Sequence, residues 1–312
     1  MNNISSYAPA RAALFVALAI GVVLTASGCS VRKYAINSAS DALAGSGNSF
    51  AQDNDPELIR DAAPFSLKAM ESMLAENPKH VGLLTATARG FTQYSYVFVQ
   101  QEGEELEDKD IKAATVHFDR ARLLYARARD YGLRGLEVRH PGFGVQLRQD
   151  PRAAVAQTNR DDVPLLYWTA ASWGSLISLS KDDPKTVAEV PITEALIDRA
   201  LELNEAWDAG AIHTFLISYE LVRQGKKDDP VARSQAQFDR AVQLSGGQLA
   251  APFVVMAESV AVSRQDRKQF ESLLKQALAI DVNAKPDWRL SNIVMQQRAR
   301  WLLSRTDELI AQ

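Results

Sequence analysis

The stretch FESLLKQALAIDVN, Phe270 to Asn283, carries an apolar helix tail that ends on an acidic residue and then turns. Three other segments close in the same manner: MLAENP (Met73–Pro78), RALELNEAW (Arg199–Trp207) and RAVQLSGG (Arg240–Gly247). Anchored on Met73, Ala200, Ala241 and Ala277, the last two steps, Ala200 to Ala241 and Ala241 to Ala277, are 41 and 36 residues. Small residues at three of these anchors would let two helices approach closely.

The chain beyond residue 55 reads as helix throughout. LIRDAAPFSLKAMESMLAEN, FDRARLLYARARDYG and NIVMQQRARWLLSRTDELI place apolar residues at i, i+3, i+4 and i+7. Asp55-Pro56, Asp150-Pro151, Asp229-Pro230 and Pro286-Asp287 mark helix starts, because proline at the first helical position gives up only an orphan N–H. No series of alternating strands competes; FTQYSYVFV (Phe91–Val99) has β-favouring composition, yet Phe91, Tyr94 and Phe98 share one helical face. The fold class is all-α. The steps lie near the ~34-residue tetratricopeptide period with room for longer loops, so FESLLKQALAID reads as the second helix of one repeat and EAWDAGAIHTFLISYE as the first helix of another. Such pairs bury their apolar faces by stacking into a curved solenoid. An irregular helical bundle is the competing architecture. Between residues 132 and 162 the repeat fails, and GLRGLEVRHPGFGVQLRQDPRAAVAQTNRDD reads as an irregular insertion with a short helix near Ala153.

Residues 1–28 read as an export signal: one charge at Arg11, the apolar run Ala12–Ala26, then Ser27 and Gly28. The run is shorter than the ~20 residues of a spanning helix. Cys29, the single cysteine in 312 residues, follows directly, and Ala26-Ser27-Gly28-Cys29 resembles the lipobox of bacterial lipoproteins. That resemblance makes Cys29 the lipid-modified first residue of the mature chain, and Ser30 leans towards the inner leaflet of the outer membrane rather than the inner membrane. Residues 29–55 then form a lipidated N-terminus and tether, with a short helix along the body through Ala35, Ile36, Ala39, Ala42 and Leu43 as the alternative. Residues 56–312 form the helical domain. Loss of residues 1–28 deletes Arg11 and no acid, taking the formal charge from −3 to −4. No block of Lys or Arg stands out, which argues against nucleic acid as a partner.

A search for chemistry finds little. His80, His117, His140 and His213 share no metal-ligating spacing, and no nucleophile elbow or phosphate loop is present. No cofactor and no catalytic residues are expected. GEELEDKD (Gly103–Asp110) reads as a solvated turn between helices. Two aromatic segments hold more: Phe91, Tyr94 and Phe98 on one helix, with Gln93 pointing elsewhere, and Tyr167, Trp168 and Trp173 among small residues on a helix apolar all round, which places it centrally. These rings either interlock as core or line a cleft, to which Gln93, His213 and Tyr219 would bring polar contacts.

SGCSVRKYAINSASDALAG (Ser27–Gly45), DPELIRDAAPFSLKAMESML (Asp55–Leu74), GFTQYSYVFV (Gly90–Val99), DVPLLYWTAASWGSLISLSKDDP (Asp162–Pro184) and GAIHTFLISYE (Gly210–Glu220) together resemble the TatT family. These are lipoprotein T components associated with tripartite ATP-independent periplasmic (TRAP) transporters. The resemblance implies a tetratricopeptide-like lipoprotein of the periplasm that is not an enzyme. It further implies a homo-oligomer, as a trimer, that binds the transporter's substrate-binding P subunit, with an apolar channel through each protomer. A small apolar or organic-acid ligand would be held or passed there. The alternative function is a structural tetratricopeptide lipoprotein acting as a scaffold in envelope assembly.

Overall fold

Aspartate carboxylates start the helices. The side chain of Asp55 accepts from the N–H groups of Glu57 and Leu58, Asp150 from Ala153 and Asp229 from Val231, each before a proline at the first turn. Asp183 does the same ahead of Pro184, and Asp110 and Asp266 do so without a following proline. Such caps satisfy N–H groups that a helix leaves orphaned and are worth about 1 kcal/mol each.

The structure, a computed structural model, describes residues 36–45, 47–225 and 227–311. Cys29 and the signal segment lie outside the described residues. The principal helices are α1 (Pro56–Glu76), α2 (Val81–Ser95), α3 (Ile111–Arg139), α4 (Val163–Ser178), α5 (Val190–Asn204), α6 (Ala211–Tyr219), α7 (Pro230–Ser245), α8 (Ala251–Val255), α9 (Arg267–Leu278) and α10 (Arg289–Ser304). No strand occurs among the described residues. Two helices are prolonged through wide π turns: α2 through Tyr96–Gln100 into Gln101–Leu106, and α8 through Met256–Ala261. Residues 36–45 are helical, and Leu43 and Ala44 pack against Met70, Leu74, Leu83 and Leu84. That part of the segment after Cys29 therefore lies along the body.

The longest helix, α3, packs against α2 on one side and α4 on the other. Gly132 and Gly135 are fully helical and face α4. A Cβ on Gly132 would overlap Thr169 Oγ1 and stand 3.1 Å from its Cβ; one on Gly135 would stand 2.5 Å from Leu165 Cδ2. This corrects the insertion boundary expected at residue 132: the glycines are contact points rather than breakers, and α3 runs on to Arg139. The irregular part spans 140–162, with helices Phe143–Gln149 and Pro151–Ala156. Asp162, fully buried, ties it down by accepting from the Asn159 N–H (2.8 Å) and pairing with His140 (2.9 Å) and Arg139.

Ala200, Ala241 and Ala277 are each fully buried. Yet the neighbour-only packing of an open solenoid is not what the chain shows. Its last helix returns to its first elements: Arg289 donates to the Gln52 carbonyl (2.8 Å), Gln52 to Asp287 (2.7 Å) and Arg298 to Glu104 (2.6 Å). Tyr96 and Val97 pack against the apolar clusters of both halves. The acidic run is corrected too, since Gly103–Leu106 belong to a helix and only Glu107–Asp110 form an exposed turn. Glu104 pairs with Arg298, which is 4% exposed and also pairs with Glu258.

Replacing a mid-helix glycine by alanine ordinarily gains about 1 kcal/mol of helix propensity. Gly132→Ala should instead lower the urea midpoint, by the equivalent of about 1–3 kcal/mol, through overpacking against Thr169. Adding Thr169→Ala should recover part of the loss. A midpoint raised by Gly132→Ala alone would show that the helices do not meet there.

Candidate functional site

Between α5 and α6 the backbone takes a conformation that L-residues avoid. Asp208 (φ 47°, ψ 50°), Ala209 (φ 52°, ψ 34°) and Gly210 (φ 90°, ψ 24°) are left-handed in succession. The cost is about 1–2 kcal/mol for each residue with a Cβ, and such strain persists only where surrounding packing over-determines it. The packing is visible at Gly210, where a Cβ would lie 3.2 Å from Leu244 Cβ and 3.3 Å from Ala241 Cα of α7. The turn swings Trp207 and Asp208 towards α4 and α2.

There they complete a cleft of about 350 Å³. The Trp207 ring lies 4.7 Å from Tyr167 and 6.3 Å, edge-on, from Trp168; Tyr167 and Trp168 are 4.9 Å apart. Trp168 and Trp207 line the cleft, with Ala44 from the 36–45 helix, Thr85 and Arg89 from α2, and Asp208. Burial lowers the Arg89 guanidinium below its usual range, and the Asp208 charge only partly opposes this. Burial likewise raises the Asp208 carboxyl, opposed by Arg89. Desolvation outweighs attraction on both sides because the two groups do not pair: among the described residues no ion pair within 4.0 Å joins them. Asp208 lines the cleft and is itself exposed to solvent. Aromatic walls with an unpaired cation and an unpaired carboxylate can bind a small molecule and orient it by charge.

Of the residues singled out in the sequence, Trp168 lines this cleft and Tyr167 stands behind it. The others lie elsewhere. Phe91, Tyr94 and Phe98 pack with Ala121 and Tyr125 in the core between α1, α2 and α3, with the Tyr94 and Phe98 rings 5.7 Å apart. Gln93 is exposed on the opposite face of α2. Trp173 donates from Nε1 to Glu189 (2.7 Å) beneath Arg129. His213, 5% exposed, pairs through Nδ1 with Gln237 (2.6 Å) and faces Glu205 at 3.4 Å. The Tyr219 hydroxyl donates to Glu194 (2.9 Å). These residues thus do not line one continuous passage. Arg89, Trp207 and Asp208 were not singled out; the Asp-Ala-Gly ahead of α6 is the signal that points to a special turn. A second depression, along the outer side of α9 between Lys268 and Gln276, is formed by a single helical segment and has no opposing wall. Among the described residues no group of three His, Cys, Asp or Glu side chains is placed to hold a metal. No helix among them is long and apolar enough to cross a membrane.

Comparison with known proteins places the chain. The profile of the family described as TRAP transporter T-component matches residues 52–310. An uncharacterized protein of Treponema pallidum (strain Nichols) is 26% identical over 297 residues, which cover 89% of this chain and 92% of that protein.

The strained turn predicts unequal responses at adjacent positions. Gly210→Ala should cost about 2 kcal/mol or more in thermal unfolding, combining backbone strain with the Leu244 contact. Ala209→Gly should cost less than the ~0.5–1 kcal/mol usual for that change, because strain relief offsets the entropy of glycine. Equal losses at both would show that the turn is not left-handed.

Proposed function

Because the chain belongs to the TRAP transporter T-component family, we propose that it works beside such a transporter as a lipid-anchored periplasmic protein. It docks the substrate-binding P subunit and holds or passes a small apolar or organic-acid ligand. Membership of that family supports the role of an accessory transporter component. The observation that carries the ligand reading is the Trp168–Trp207 cleft. Its apolar rings would hold a hydrocarbon part, and Arg89 would hold a carboxylate.

Further features support this reading. The helix pairs, with Ala200, Ala241 and Ala277 buried at their contacts, suit tetratricopeptide-like repeats whose ends have closed on one another. Leu58 and Phe65, 56% and 80% exposed, lie two turns apart on one face of α1 and give a partner an apolar foothold. In this reading Cys29 carries the lipid, in the outer membrane, and the protein assembles as a homo-oligomer, a trimer.

Affinity capture tests it. The mature chain without its lipid, bearing Cys29→Ser, is used as bait in periplasmic extract with cross-linking. Recovery of a TRAP substrate-binding subunit is expected, and its absence after cross-linking sinks the docking proposal. Phe65→Asp should leave stability within about 0.5 kcal/mol, as for most exposed positions, while reducing recovery. In cells, Cys29→Ser should release the protein or leave its signal uncleaved. A membrane-bound, acyl-labelled Cys29→Ser product would overturn the anchor.

A further inference from the structure

The Trp168–Trp207 cleft holds two opposite charges that do not meet. Arg89 and Asp208 are near enough for each to shift the other's protonation, yet no ion pair within 4.0 Å joins them. Arg89 donates to no protein acceptor in any hydrogen bond among the described residues, although its guanidinium offers a planar fork of donors. A Cβ on Gly47 would overlap the end of the guanidinium, so residues 47–51 begin close beside Arg89. Asp208 is carried on the left-handed turn that precedes α6.

A direct ion pair would satisfy both groups, and the geometry withholds it. A simple carboxylate bound at Arg89 would face the Asp208 carboxylate, and a simple amine bound at Asp208 would face the guanidinium. Each leaves one charge in the cleft uncompensated, which costs binding energy. A molecule with both charges on adjacent atoms compensates the two at once. The Trp168 and Trp207 faces also attract an ammonium. At about 350 Å³ the cleft is at the small end of the ~300–1,000 Å³ range of small-molecule sites.

We propose that this cleft binds a small zwitterion of the α-amino-acid type, its carboxylate on Arg89, its ammonium on Asp208 and its apolar side chain against Trp168 and Trp207. The inference rests on the reading of the cleft as a ligand site and narrows that reading to one chemical class.

Three probes of similar size separate the possibilities: L-phenylalanine with both charges, 3-phenylpropionate with the carboxylate alone, and phenethylamine with the ammonium alone. Binding to the intact mature protein is followed by tryptophan fluorescence and calorimetry. L-phenylalanine should bind at least ~10-fold more tightly than either single-charge probe, equivalent to about 1.4 kcal/mol. Arg89→Met should bring it to the level of phenethylamine, and Asp208→Asn to that of phenylpropionate. Asparagine tolerates the left-handed backbone, so the second variant keeps the turn. If phenylpropionate binds the wild type as tightly as phenylalanine, the zwitterion is refuted and the ligand cleft stands. If no probe binds at millimolar concentration, both fail, and Arg89 and Asp208 are a water-bridged pair only. The comparison of probes on the wild type needs no variant to fold.

Discussion

The architecture depends on how closely α3 and α4 approach. With hydrogen atoms in place of side chains at Gly132 and Gly135, α4 can set Leu165 and Thr169 directly against α3. That contact fixes the rotation of α4 about its axis. One residue along a helix is about 100° of turn, so Trp168 is carried off the α3 interface and towards α2 and Trp207. Trp173, a turn further on, meets Arg129 and Glu189 instead. A helix apolar on nearly every side has no intrinsic preference for which face meets which neighbour. Two glycines on its partner supply one.

Charge does comparable positional work where the two ends of the chain meet. Arg298 reaches Glu104 in the N-terminal half and Glu258 in its own half, and lies over the Trp301 ring at 4.2 Å. Burial pushes the Glu104 carboxyl upward, and Arg298 pulls it down. An ionic contact of this kind adds little net stability over a well-packed apolar one, but an alternative pairing of the helices would strand a buried charge at a cost of ~3–5 kcal/mol. Register is what it contributes.

Local chemistry was legible in the sequence, and non-local chemistry was not. Asp55, Asp150 and Asp229 announce their helices because a cap involves only the next three residues. The helical reading of Phe91–Val99, against its β-favouring composition, follows from Phe91, Tyr94 and Phe98 sharing a face, and they do share a core. Gly132 misleads because a glycine that weakens a helix in isolation looks the same as one that admits a neighbour. Asp208-Ala209-Gly210 signals a turn but not its left-handed course, since Leu244 and Ala241, which crowd Gly210, lie more than thirty positions away. Arg89 reads as an ordinary helix-surface cation until the chain brings Asp208 and two indoles around it. The candidate site is therefore the part least readable in advance, being assembled from α2, α4 and the turn before α6.

The wide turns at Tyr96–Gln100 and Met256–Ala261 are, in effect, changes of phase. A π turn accommodates one residue more than an α-helix would over the same rise. Everything beyond it is rotated relative to an uninterrupted helix. Phe98, inside the turn, still points into the core that Phe91 and Tyr94 begin, while Glu104, beyond it, faces Arg298 across the junction of the two halves. A related chain lacking that one extra residue would present a different side chain to the same arginine. Its helices could match these in length and composition and still have to close their ends by another contact. In this fold a single inserted residue decides which surfaces are available to meet.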